Sequence, residues 1–231
     1  MYLICLPHAG GLSTVYKEWS KYLNPHIKLH AVELAGRGSR VEEAFYKSLD
    51  QMIEDILCNI RPIIEQNNYA LFGHSMGSLC AYELYFKIRE KGLNEPSHIF
   101  FSGYGAPEKE SECEMPDVSK MEDNDFMAFL KNIGGTPNEI LENEELRNLF
   151  VPVIKNDFKL IREYNFVDKG KIDSAISVFY GNRDSISLEN LLEWKNCTSK
   201  KCRFQVFDGD HFYIYKNTTC INQLIKHIIL S

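Results

Sequence analysis

Short apolar segments alternate with longer amphipathic ones along most of this 231-residue chain. The short segments are rich in β-branched and aromatic residues, which is typical of buried strands, whereas the longer ones repeat apolar positions with helical periodicity. Six strands are predicted, at Tyr2–Leu6, Lys28–Val32, Tyr69–Phe72, His98–Ser102, Ala175–Tyr180 and Arg203–Phe207. Helices are predicted at Thr14–Leu23, Ser48–Glu65, Met76–Glu90, Leu188–Trp194 and Asn217–Ile229. This order predicts a single α/β domain, residues 1–231, in which helices flank a mostly parallel sheet.

The alternation stops between Pro107 and Lys171, where helical patterns follow one another without a strand. They lie at Asp123–Asn132, Asn143–Val151 and Val153–Tyr164. An insertion at this point would lie over the carboxyl ends of the strands, where open α/β sheets bind ligands. We therefore predict a helical lid over residues 107–171. The alternative is a surface subdomain that only extends the core.

Composition and charge narrow the class of protein. The chain has 44% hydrophobic and 25% charged residues, as ordinary globular proteins do. Its formal charge of −6 disfavours binding to nucleic acid or to an anionic membrane. The amino-terminal residues do not resemble a signal peptide, and no apolar run is long enough to span a membrane. The expectation is a cytoplasmic monomer.

The cysteine and glycine patterns predict neither a metal site nor a cofactor. Seven cysteines at irregular spacing, without a C-x-x-C pair, are expected to be reduced thiols. Cys197 and Cys202 lie five residues apart, which does not fit a zinc site. The pair Gly10-Gly11 lacks the lysine of a P-loop and the spacing of a dinucleotide-binding motif.

The segment Gly73-His74-Ser75-Met76-Gly77 lies between a predicted strand and a predicted helix. In that context the G-x-S-x-G pattern is typical of a sharp turn that exposes a serine hydroxyl above the sheet, and flanking glycines let strand and helix approach. We therefore predict that Ser75 is a nucleophile and that the chain has the α/β-hydrolase fold. The alternative is that Ser75 only caps the following helix.

A serine nucleophile needs a base and a carboxylate that orients the base, and in this fold they follow in the order Ser, acid, His. Asp184 comes after the fifth predicted strand and His211 after the sixth. We predict that Asp184 is the acid and His211 the base. His8 and His74 are the rival bases, because both lie near the nucleophile.

Other aspartates compete for the role of the acid. Asp208 and Asp210 are the nearest rivals in sequence. Asp210 is adjacent to the predicted base, which is a poor place from which to reach its Nδ1, and it is more typical of a turn residue. Asp157 and Asp168 lie in or next to the insertion and are expected to be structural or surface residues.

Attack on a carbonyl places negative charge on its oxygen, which hydrolases stabilise with backbone amides. The amide of Met76, directly after the nucleophile, is one predicted donor. The second is expected in the loop Pro7–Gly11, where paired glycines permit a tight turn, and we choose Ala9. The same glycines also fit an ordinary connection between strand and helix.

Five blocks of this sequence together resemble the type II thioesterases that serve nonribosomal peptide and polyketide synthases. The resemblance spans nearly the whole chain. The blocks are Leu6-Pro7-His8-Ala9-Gly10-Gly11, Glu33-Leu34-Ala35-Gly36-Arg37-Gly38, Phe72-Gly73-His74-Ser75-Met76-Gly77, Pro152-Val153-Ile154-Lys155-Asn156-Asp157-Phe158 and Gly209-Asp210-His211-Phe212.

The resemblance implies hydrolysis of acyl or aminoacyl groups from the phosphopantetheine arm of carrier proteins, through an acyl-enzyme, which clears stalled or wrongly primed carriers. The implied partners are the acyl or peptidyl carrier domains of a synthase. Ala35 and Ser185 stand where the family commonly has proline, and Asp210 where a second glycine is common. None of these departures removes a catalytic group.

Two other functions stay open. One is hydrolysis of a small-molecule ester or an acyl-CoA by the same triad, which the fold alone does not distinguish. The other is a carrier-binding protein without activity, which the presence of all three triad residues disfavours. The basic run Lys195–Arg203 is one candidate for docking an acidic carrier, although such a run is more often a solvated loop.

Overall fold

The computed structural model describes residues 1–111, 116–136 and 138–231. Six strands form one sheet in the order β2-β1-β3-β4-β5-β6, and each neighbouring pair is parallel. The strands are β1 (Tyr2–Leu6), β2 (Lys28–Ala31), β3 (Tyr69–His74), β4 (His98–Ser102), β5 (Ala175–Gly181) and β6 (Cys202–Phe207). The prediction of six strands in a parallel α/β sheet is therefore confirmed, with boundaries that differ by at most two residues.

Ten α-helices are described in those ranges: α1 (Ser20–Leu23), α2 (Leu49–Ile64), α3 (Met76–Glu90), α4 (Pro107–Ser111), α5 (Asp123–Ile133), α6 (Asn138–Glu142), α7 (Glu144–Arg162), α8 (Leu188–Leu192), α9 (Tyr213–Lys216) and α10 (Thr218–Leu230). Short 3₁₀ turns lie at Ser13–Trp19, Gly38–Arg40, Val118–Lys120 and Glu193–Lys195.

Both faces of the sheet are buried, because successive side chains of a strand point to opposite sides. Along β1, Ile4 and Leu6 belong to the core beneath α2 and α3. Leu3 and Cys5 belong to the core on the other face, which includes side chains of the first 3₁₀ turn and of α10. This two-sided burial explains why the strands read as continuous apolar runs rather than as alternating patterns.

Helices α4 to α7 lie between β4 and β5 in the chain, within the segment for which a lid is predicted. They contain a separate small core that includes Phe126, Leu130 and Ile154. Helix α7 is one continuous helix, whereas two helices separated at Pro152 were predicted. Proline removes one amide donor, but the buried residues Val153 and Ile154 beyond it continue the packed face, and this packing outweighs the local cost.

The six cysteines within the described ranges are free thiols, and Cys113 lies outside those ranges. In the same ranges no group of three His, Cys, Asp or Glu side chains is arranged to hold a metal ion. None of the helices described there is long and apolar enough to cross a membrane.

Candidate active site

Ser75 lies on a strained turn between β3 and α3. Its backbone has φ 54° and ψ −121°, and within the described residues it is the one residue other than glycine with a positive φ. Such a conformation costs on the order of 1–3 kcal/mol and is maintained only by its surroundings. A Cβ at Gly73 would lie 2.0 Å from the carbonyl oxygen of Gly77, so the turn requires glycine there. The Ser75 side chain caps no amide of α3, which argues against the capping alternative.

Asp184 and His211 meet because they follow two paired strands. The last residues of β5 and β6, Gly181 and Phe207, are direct partners in the sheet. The turns beyond them are joined by a hydrogen bond of 2.9 Å from the Arg183 amide to the Gly209 carbonyl oxygen. His211 Nδ1 lies 3.0 Å from Asp184 Oδ2, and the Asp184 side chain is only 2% exposed. An ionised carboxylate only accepts hydrogen bonds, so Nδ1 carries the proton and Nε2 is left to accept one.

The rival acids have other partners. Asp208 is exposed and its carboxylate binds the guanidinium of Arg183 at 2.6 Å. Asp210 is also exposed, and its Oδ1 accepts a hydrogen bond of 2.9 Å from the amide of Phe212. Asp210 therefore has the turn-forming contact that the sequence predicts, and in this structure the carboxylate that His211 contacts is that of Asp184.

The rival bases are buried and neutral. His74 lies beneath the site with its Nδ1 2.9 Å from Ser102 Oγ, and burial lowers its pKa well below the ordinary value. His8 contacts the carbonyl oxygen of Ala9 and the hydroxyl of Tyr215, each at 2.9 Å. Burial lowers the pKa of His8 to about 4. Both imidazoles thus have structural contacts and stay uncharged near neutral pH.

A cavity of about 550 Å³, here called the main cavity, brings the predicted site residues together. Ser75, Asp184, His211, Ala9 and Met76 all line it. Its other walls are partly apolar and partly charged, and include Phe129, Phe158, Ile161, Ile186, Glu110 and Arg162. Several of these walls belong to α4, α5 and α7, so the inserted helices form part of the site. The catalytic roles of the five residues remain predictions.

A smaller cavity of about 200 Å³, here called the side cavity, is lined by His8, Ala9, Gly10 and Gly11 of the same loop. Its lining is mostly apolar and includes Leu12, Val15, Ile140, Phe150 and Ile154. A narrow space of about 40 Å³ lies between the two and is lined by Ser75, His211, Gly135 and Phe212. A Cβ at Gly135 would lie 2.1 Å from Cζ of Phe212, so the Phe212 ring packs directly on this glycine and a side chain there would displace a ring that lines the narrow space.

The expected oxyanion donors lie on two different elements. Met76 is the first residue of α3, so its amide is one of those that a helix leaves unpaired at its amino terminus. Ala9 lies in a tight turn in which the Gly11 amide donates to the His8 carbonyl oxygen at 2.9 Å. Gly10 has a φ of 72°, which favours glycine.

A buried ion pair, which was not predicted from the sequence, lies beside this loop. Asp157 on α7, expected to be a structural or surface residue, is fully buried and binds Arg37 through two contacts of 2.6 and 2.7 Å. Asp157 Oδ2 also accepts a hydrogen bond of 2.7 Å from the amide of Gly10. Arg37 and Asp157 both lie in blocks that carry the family resemblance, and this was the signal available in the sequence.

The chain is similar to a known protein family over nearly its whole length. The family model described as thioesterase domain matches residues 2–230. The chain belongs to the thioesterase family. It is therefore a hydrolase that acts on thioester bonds, and the prediction of an α/β-hydrolase fold is confirmed by the structures it is similar to.

Three relatives illustrate the similarity. The medium-chain S-acyl fatty acid synthase thioesterase of Rattus norvegicus is 34% identical over 93% of this chain and 81% of its own length. The gramicidin S biosynthesis protein GrsT of Aneurinibacillus migulanus is 31% identical over 93% of this chain and 83% of its own. The crystal structure of ClbQ, from the colibactin nonribosomal peptide and polyketide pathway, superposes with a TM-score of 0.93 at 31% identity, covering 99% of this chain and 96% of the other.

Proposed function

We propose that the protein removes acyl or aminoacyl groups from the phosphopantetheine arm of carrier domains in a nonribosomal peptide or polyketide synthase. The observation that carries the proposal is the arrangement of Ser75, His211 and Asp184 around one cavity in a chain of the thioesterase family. The similarity to GrsT and ClbQ supports the synthase as the context.

The reaction proceeds in two steps. His211 Nε2 takes the proton of Ser75 as Oγ attacks the thioester carbonyl, while Asp184 stabilises the imidazolium through Nδ1. The amides of Ala9 and Met76 stabilise the oxyanion of the tetrahedral intermediate. Its C–S bond then breaks, the sulfur takes the proton from His211 Nε2 and leaves as the pantetheine thiol, and an acyl-enzyme remains. A water molecule, deprotonated by His211 Nε2, then attacks the ester carbonyl. The bond to Ser75 Oγ breaks, Oγ takes the proton back from His211, and the carboxylic acid is released. This sequence needs only side chains, amides and water, so we propose no cofactor.

The two cavities suggest where each part of the substrate lies. The main cavity, which has charged groups in its wall, receives the long pantetheine arm, and helices α4 to α7 act as the lid over it. The side cavity is mostly apolar and receives the tail of the acyl group through the passage beside Gly135. An apolar side cavity favours an alkyl chain over a polar aminoacyl group.

We propose that the carrier docks near the mouth of the main cavity and not on the basic run Lys195–Arg203. Lys200 and Lys201 directly precede β6, whereas Ser75 follows the carboxyl end of β3. Parallel strands of about six residues separate these two ends by roughly 20 Å. A carrier on the basic run would therefore face the wrong end of the sheet.

The protein is expected to act as a monomer, which size-exclusion chromatography with light scattering tests.

A medium-chain fatty acyl thioesterase is the second candidate function. The apolar side cavity favours it, and so does the similarity to the rat fatty acid synthase thioesterase. In this case the natural substrate is a fatty acyl group on a carrier or on coenzyme A. The two candidates share the triad and differ in the acyl group.

One assay series tests the proposal. Purified protein is given acetyl-, aminoacyl- and octanoyl-loaded carrier, the matching coenzyme A thioesters and an aryl ester. We expect the carrier thioesters to have the highest kcat/KM, and Ser75→Ala to abolish turnover, while the exposed Ser39→Ala serves as the matched control. Activity that survives Ser75→Ala contradicts the assignment of the nucleophile. A preference for the aryl ester contradicts the carrier, and binding of carrier without turnover supports the inactive alternative.

A further inference from the structure

The peptide between Ala9 and Gly10 is held from both sides. Its carbonyl oxygen, that of Ala9, lies 2.9 Å from Nδ1 of His8. Its amide, that of Gly10, donates a hydrogen bond of 2.7 Å to Oδ2 of Asp157. These two contacts come from opposite directions, one from the loop itself and one from α7, 147 residues further along the chain.

The His8 contact defines the tautomer of the imidazole. A carbonyl oxygen only accepts hydrogen bonds, so Nδ1 of His8 carries the proton. His8 is buried and neutral, so its Nε2 is an acceptor, and the hydroxyl of Tyr215 donates to it at 2.9 Å. Tyr215, His8 and the Ala9 carbonyl oxygen therefore form one directed chain of hydrogen bonds.

The carboxylate that accepts the hydrogen bond from Gly10 is held in one orientation by Arg37. Arg37 binds both carboxylate oxygens, and the Arg37 and Asp157 side chains are 2% and 0% exposed. The planar guanidinium fixes the orientation of the carboxylate, so Oδ2 has one direction in which to accept from Gly10. Space is also limited, because a Cβ at Gly10 would lie 2.4 Å from Cγ1 of Ile154, one turn earlier on α7.

We propose that Asp157, fixed by Arg37, and His8 are positioning residues that clamp the Ala9–Gly10 peptide and thereby aim the Ala9 amide at the oxyanion. The inference rests on the proposed function, since it assumes that Ala9 is an oxyanion donor. An oxyanion hole works only when its donors are oriented before the charge develops, and a displacement of about 1 Å can lower the rate about a hundredfold. The clamp also makes the inserted helix α7 a part of the catalytic machinery.

The test compares two double variants that both remove the buried ion pair. Arg37→Met with Asp157→Asn retains an amide oxygen that can accept from Gly10, whereas Arg37→Met with Asp157→Leu does not. Removing both charges together avoids leaving one unpaired in the core. The substrate is an octanoyl thioester of N-acetylcysteamine, which needs no carrier. The affinity of a trifluoromethyl ketone analogue, whose hemiketal with Ser75 bears the oxyanion, is measured in parallel.

We expect the Leu variant to lose about tenfold or more in kcat relative to the Asn variant, with KM changed by less than about threefold. The affinity for the trifluoromethyl ketone should fall by a similar factor. A purely structural ion pair would alter the melting temperature of both variants and leave these two quantities equal between them. A kcat at the wild-type level in both folded variants would overturn the clamp.

His8→Phe keeps the inference testable if the Leu variant does not fold. The phenyl ring fills the space of the imidazole and lacks the donor to the Ala9 carbonyl oxygen, so kcat should again fall about tenfold at constant KM. A kcat within about twofold of wild type refutes the role of His8. Failure of the proposed function looks different, because then the wild-type protein itself would not hydrolyse the thioester or Ser75→Ala would remain active.

Discussion

The replacement Asp184→Asn tests the candidate triad most directly. Asp184 Oδ2 lies 3.0 Å from His211 Nδ1 in a nearly dry environment. At an effective dielectric constant of about 20, a carboxylate at this distance stabilises an imidazolium by roughly 5.5 kcal/mol. Since about 1.4 kcal/mol corresponds to a factor of ten, we expect kcat to fall about ten-thousandfold. A fall of this size is also characteristic of an amide in this position of a Ser-His-Asp triad.

Asp210→Asn is the matched control for this experiment. Asp210 is adjacent to the same histidine but exposed, and an asparagine retains the oxygen that accepts from the Phe212 amide. Steady-state hydrolysis of an acyl thioester at pH 8, with circular dichroism to verify folding, gives kcat for both variants. We expect Asp210→Asn to stay within about twofold of wild type. The reasoning is refuted if Asp184→Asn retains more than a tenth of the activity, or if both variants fall equally.

Two further predictions concern the passage beside Gly135 and the buried residue His98. Gly135→Ala should lower kcat/KM for octanoyl relative to acetyl thioesters about tenfold, because the new methyl collides with Phe212. Gly134→Ala, at a glycine with nearly the same φ, is the control and should leave this ratio unchanged. The same octanoyl-to-acetyl ratio in both variants would contradict an acyl tail in the side cavity. The Nε2 atom of His98 lies 2.9 Å from Ser177 Oγ, and burial lowers the pKa of His98 to about 4. The unfolded state therefore binds a proton on this imidazole more tightly than the folded state does. As a result, the free energy of unfolding falls as the pH drops from about 6.5 towards 4. His98→Gln should remove roughly 3 kcal/mol of that loss, measured as urea unfolding at pH 7 and pH 4, and an unchanged difference would show that His98 is not the group.

The strands and the turn at Ser75 were predictable from sequence because their signals are local. The segment Tyr69–Gly77 combines an apolar run, two glycines and a helical pattern, and each of these restricts the backbone within a few residues. The order of Ser75, Asp184 and His211 along the chain could also be read from the sequence alone. A parallel sheet then aligns the carboxyl ends of its strands, so order along the chain becomes proximity in space.

Local signals failed where the determining contact was distant in sequence. Pro152 predicted a helix boundary, but the buried residues that follow it keep α7 continuous. The sequence did not indicate the contacts of Asp157, because its partners Arg37 and Gly10 lie 120 and 147 residues away along the chain. The helical spacing of Asp157 from the buried residues Val153, Ile154 and Leu160 places it on the packed face, but it does not reveal which cation it meets there.

The sequence by itself thus determined the fold class, the order of the predicted triad residues and the turn that presents Ser75, because these depend on periodicity, glycine and strand order. Only the tertiary structure decided which carboxylate meets His211, which histidines stay neutral, and how α7 reaches the loop that carries Ala9. These outcomes depend on burial and on hydrogen bonds between distant segments. Such contacts exist only after the sheet has assembled and the inserted helices have packed over its edge.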